Sequence, residues 1–135
     1  MNSGSETMKK QVLASERIPP AVGPYSQAVR VGDMIFCSGV IGLDPETKSL
    51  VQDSFDAEVR RLLDNLTMLL EDCGSSLESV VKTTVFLADM RQFATFNDIY
   101  AEYFGAEPPA RSTIQAAALP LGAQIEVEAI ALAQS

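Results

Sequence analysis

Eight consecutive residues, Met34-Ile35-Phe36-Cys37-Ser38-Gly39-Val40-Ile41, are apolar or small at every position. A strand turns successive side chains to opposite faces, so a segment of this kind cannot serve a sheet with one wet side. Read as a strand, it points Ile35, Cys37 and Ile41 one way and Met34, Phe36 and Val40 the other, and something must cover each face. Ala28-Val29-Arg30-Val31 precedes it across Gly32-Asp33, a two-residue turn that closes an antiparallel hairpin.

Two segments have helical period. From Ser54, a good N-cap, apolar residues recur at Val59, Leu62, Leu63, Leu66, Leu69, Leu70 and Cys73, and Gly74 supplies a C-cap. Glu58, Arg60, Arg61 and Asp64 are read as its solvated face. The second helix starts near Asp89 and Gln92, a capping-box variant, carries Phe93, Phe96, Asn97, Tyr100 and Phe104, and stops at Gly105. Its aromatics are assigned to packing, with Asn97 as a polar lining residue.

Gln11-Val12-Leu13-Ala14, Val80–Leu87, Pro108–Ile114 and Gln124–Leu132 complete six strands, with a last turn near Pro120–Ala123. The class is α+β. Two helices cover one face of such a sheet and leave the other, with Phe36 and Val29, bare; a closed symmetric ring of copies would bury it.

The chain has 135 residues and 47% apolar content, enough for one domain, expected over residues 11–135 behind a flexible amino tail, 1–10. Eighteen acidic against ten basic residues give a net charge of -8, which argues against nucleic acid and anionic membranes as partners. No apolar run is long enough for a signal-peptide core or a membrane span, so a cytoplasmic protein is expected. There is no histidine, which leaves carboxylates, tyrosine, cysteine and water for acid-base work. Cys37 and Cys73 lie in apolar stretches without metal-ligand spacing and are read as buried thiols.

Charge inside the last two strands is the strongest functional signal. Arg111 opens one, and Glu126 and Glu128 interrupt the other. Ions among core residues are costly unless they are paired or used. Either Arg111 and a glutamate form a structural ion pair, or they serve a small anionic substrate in a shared cavity.

Five motifs in order, Gly23-Pro24-Tyr25-Ser26-Gln27-Ala28, Phe36-Cys37-Ser38-Gly39, Val81-Lys82-Thr83-Thr84-Val85-Phe86, Pro109-Ala110-Arg111-Ser112 and Ile125–Ala131, resemble the Rid family, also called YjgF or L-PSP-type endoribonucleases. The resemblance spans roughly residues 11–133. It implies a chorismate-mutase-like, ferredoxin-like α+β fold: a six-stranded mixed sheet backed by two helices, assembled as a homotrimer with clefts between subunits. It also implies hydrolysis of 2-imino acids, such as 2-iminobutanoate and 2-iminopropanoate, to 2-keto acids and ammonia, with neither cofactor nor metal. By the same resemblance Arg111 binds the substrate carboxylate, Glu126 is the acid-base group, Tyr25 is the pocket tyrosine, and Ser38 and Gly39 line the cleft. Thr113 stands where many members have cysteine; it keeps the main-chain carbonyl that meets the attacking water but removes the thiol. Two rival functions accompany the family: cleavage of messenger RNA, and a non-catalytic keto-acid-binding or chaperone-like trimer.

Overall fold

The computed structural model describes residues 9–134. Most of the expected amino tail lies outside them. Six strands form one mixed sheet: β1 (Gln11–Leu13), β2 (Ala28–Val31), β3 (Met34–Val40), β4 (Val80–Leu87), β5 (Ala110–Gln115) and β6 (Ile125–Leu132). Their spatial order is β1-β2-β3-β6-β4-β5. Only β4 and β5 run parallel. That pair is joined through a helix, as a parallel connection requires.

Helices α1 (Phe55–Asp72) and α2 (Phe93–Phe104) occupy one side of the sheet. Ser54 caps α1 by accepting from the Ala57 N–H, and Gly74 ends it at φ +84°, where a side chain would be strained. Asp89 caps a single 3₁₀ turn, Met90–Gln92, by accepting from the Arg91 N–H, and the α-helix begins only at Phe93. Val59, Leu62, Leu63, Leu66 and Leu70 are fully buried against Ile35, Val85, Leu87, Ile125 and Val127 of the sheet.

Two sequence expectations are corrected. Val40 joins Ile35 and Cys37 in the core instead of siding with Phe36, because β3 carries a one-residue bulge between Cys37 and Val40 that reverses its parity. The small residues there, Ser38 and Gly39, were the available sign. Glu58 is not solvated: it is 0% exposed, and Asn65 is 1% exposed. Both lie on the stripe of Leu62 and Leu69, at intervals of four, three and four, a position that a count of apolar residues does not register.

Among the described residues nothing covers the second face of the sheet. Val12, Phe36, Ile114 and Leu132 lie there, each between 43 and 61% exposed. Cys37 and Cys73 are both buried, as expected, and burial pushes the Cys37 thiol up to about 12. Among the described residues no helix is long and apolar enough to cross a membrane.

Candidate active site

The bulge in β3 builds one half of the site. Where the strand leaves its ladder, the Ser38 N–H donates to the Gln27 carbonyl at 2.9 Å and the Ser38 hydroxyl to the Ser26 carbonyl at 2.7 Å. These bonds tie the bulge to the Gly23–Gln27 loop, where the Tyr25 hydroxyl accepts from the Val22 N–H at 3.4 Å and the ring stays half exposed. Glu126, near the start of β6, extends its carboxylate across Gly39. A methyl group built on Gly39 would sit 2.7 Å from the Glu126 carboxyl carbon, so a larger residue there would move the carboxylate from this position.

Tyr25, Ser38, Gly39 and Glu126 line one hollow of about 200 Å³, walled otherwise mostly by apolar residues including Val22, Ile41, Leu69 and Leu121. Among the described residues Glu126 has no cationic partner. Partial burial pushes its carboxyl above the ordinary range, and the negative charge on Glu128 adds to the effect. A carboxyl group held this way keeps its proton to higher pH and suits proton donation.

Arg111 builds a different half. Its guanidinium carbon lies 4.8, 5.3 and 5.5 Å from the ring centroids of Tyr100, Phe96 and Phe93, and its Nη2 donates to Asn97 Oδ1 at 2.8 Å. The aromatic stripe of α2 is thus more than core packing: it is a π-face cradle that orients the cation. Asn97, expected as a polar lining residue, accepts from Arg111 and does not line the hollow of Glu126. The Tyr100 hydroxyl is fixed in turn by Thr83 at 2.7 Å. No carboxylate among the described residues pairs with Arg111. Thr113 sits two residues on, facing the same way, and its buried hydroxyl has no partner among the described residues.

One chain does not bring the two halves together. Arg111 pairs in register with buried Thr83 on the helix side, whereas Glu126 pairs with Phe86, whose side chain points to the open side. β4 stands between the two strands. The expectation of an intramolecular Arg111–glutamate ion pair is therefore excluded, and neither Arg111 nor Thr113 lines the hollow of Glu126. The other candidates, Tyr25, Ser38, Gly39 and Glu126, do share it.

The family model for endoribonuclease L-PSP matches residues 15–133. The chain is 47% identical over 131 residues to the chloroplastic Reactive Intermediate Deaminase A of Arabidopsis thaliana, covering 97% of this chain and 70% of that protein. It is 46% identical over 123 residues to the 2-iminobutanoate/2-iminopropanoate deaminase of Mus musculus, covering 91% of each. The crystal structure of E. coli TdcF with bound serine superposes with a TM-score of 0.86 at 35% identity, covering 92% of this chain and 99% of that one.

Proposed function

The chain belongs to the endoribonuclease L-PSP family, the Rid proteins, and from that membership we propose that it hydrolyses small 2-imino acids to 2-keto acids and ammonia. The observation that carries this reading is the half-buried carboxyl of Glu126, without a cationic partner among the described residues, held across Gly39 in a hollow shared with Tyr25 and Ser38. In the proposed site Glu126 donates a proton to the imine nitrogen. Water then adds to the carbon and releases a proton to the Glu126 carboxylate, giving a carbinolamine. Glu126 returns its proton to nitrogen, the C–N bond breaks, ammonia leaves with the bonding pair, and the hydroxyl gives its proton back to the Glu126 carboxylate as the C=O of the keto acid forms. Water is the only co-reactant.

Arg111 is the natural holder of the substrate carboxylate, because a planar guanidinium offers two parallel donors and its stacked seat fixes their direction. Thr113 would contribute its main-chain carbonyl toward the attacking water. Since Arg111 and Glu126 lie on opposite faces of the sheet, we propose that the working site lies between chains of a homotrimer, with Arg111 and Thr113 from one and Tyr25, Ser38, Gly39 and Glu126 from the next. The bare apolar face supports such an assembly. RNA cleavage is disfavoured by the net charge of -8, since a phosphate backbone needs basic contacts.

The test couples the purified protein to a threonine dehydratase and follows 2-ketobutanoate release while free imine persists. Faster release than without the protein is expected. Glu126→Ala should keep 2-ketobutanoate bound yet lose about 10²–10⁴-fold in turnover, whereas Arg111→Ala should lose the ligand. A protein that left release unchanged would not be a deaminase, and ligand binding without acceleration would leave a binding module.

A further inference from the structure

Helix α1 buries a polar stripe in the middle of its apolar side. Glu58 and Asn65 are 0 and 1% exposed, where leucine would cost less to place. Asn65 lines the hollow and holds one of its walls, whereas Glu58 holds the residue just before β6. Glu58 Oε2 accepts from the Gln124 N–H at 2.7 Å, and Oε1 accepts from the Gln124 side-chain amide at 3.1 Å. Asn65 Nδ2 donates to the Leu43 carbonyl at 2.8 Å and the Ile41 carbonyl at 3.3 Å, while its Oδ1 accepts from Arg61 Nε at 3.1 Å.

The Gly42 loop and the residue before β6 meet at Glu58. Gly42 packs so closely on this turn of α1 that an added methyl would lie 2.6 Å from the Glu58 carbonyl oxygen. Gln124 stands just before Ile125, the first laddered residue of β6, and its own carbonyl accepts from the Ala88 N–H at 2.9 Å. Its N–H therefore needs an acceptor from outside the sheet, and the helix supplies one. Two residues farther along, Glu126 emerges opposite Gly39. Among the described residues no cation pairs with Glu58, so its bonding is directed at Gln124.

We propose that Glu58 is a positioning residue for the candidate acid: by clamping both amides of Gln124 it sets where β6 begins, and hence where the Glu126 carboxylate meets the Gly39 bulge. This deepens the deaminase reading, and its rate measurement rests on that reading. The geometry also predicts which substitution is tolerated. Glutamine at position 58 can accept from the Gln124 N–H while a flipped Gln124 amide accepts from it in turn, so both contacts survive. Methionine fills the space and keeps neither.

The experiment compares Glu58→Met and Glu58→Gln in the full chain by turnover, by 2-ketobutanoate affinity, and by ¹³C NMR titration of the Glu126 carboxyl. Glu58→Met is expected to lower kcat by at least about tenfold, since small misplacements of a reacting group are costly, with affinity within about twofold of the parent. Its Glu126 midpoint should fall toward the ordinary carboxyl value as water enters. Glu58→Gln should restore both. Parent-like turnover and midpoint in Glu58→Met, or equal losses of turnover and affinity with an unmoved midpoint, would overturn the proposal. If Glu58→Met does not fold, Gln124→Leu removes one arm of the clamp and must shift both readouts in the same sense. If the parent has no deaminase activity, the functional reading fails by itself, and the Glu126 midpoint decides the positioning role.

Discussion

Glu126 carries its carboxyl group where water is scarce and a second carboxylate, on Glu128, is near, and both conditions favour the neutral acid. Folding therefore binds this proton more tightly than the open chain does. The associated stability is complete below the unfolded value of about 4.3 and is lost as pH rises through the higher folded midpoint. Glu126→Gln, neutral throughout, should run parallel to the parent in urea melts below that window and gain on it as pH climbs; coincident curves at all pH values would show that the carboxyl is not shifted. Arg111 and Glu126 were legible as candidates because charge inside an apolar strand is conspicuous. Glu58 was not, because on a helix an acidic residue usually faces solvent, and only the coordinates show Gln124 above it.

Elements were the most legible scale. The period of α1 and its flanking Ser54 and Gly74 located the helix ends, and Gly32-Asp33 located the hairpin. What failed was parity across the β3 bulge, since one extra residue reverses every later side chain and its local signature is only two small residues. A similar local irregularity lies in the turn before β6, where Leu121 has φ +58° with its side chain 68% exposed. A left-handed leucine is strained and this one packs little, so Leu121→Gly should raise stability by about 1 kcal/mol or less. A higher melting temperature in calorimetry is the expected readout, and a lower one would mean that Leu121 makes contacts worth more than its strain.

At the level of the whole molecule, the two halves of the proposed site face away from each other, and the proposed assembly makes function depend on two chains. If one chain's Arg111 serves the next chain's Glu126, two inactive variants should rescue each other. Arg111→Ala and Glu126→Ala, unfolded together and refolded at equal amounts, should regain activity at about a quarter of the interfaces, as random placement in a ring allows. Recovery near zero would return the site to a single chain. Phe36→Asp, on the bare face, should give smaller species by light scattering and lose activity with them. The sequence by itself determined the α+β class, the six strands and two helices, and the residues able to do acid-base and anion chemistry, because hydrophobic period, turn residues and misplaced charge are local signals. Only the tertiary structure decided that Glu58 is buried, that three aromatic rings seat Arg111, and that Arg111 and Glu126 occupy opposite faces. Those facts depend on strand order and register, which bring together residues far apart in the chain and leave no trace in any single segment.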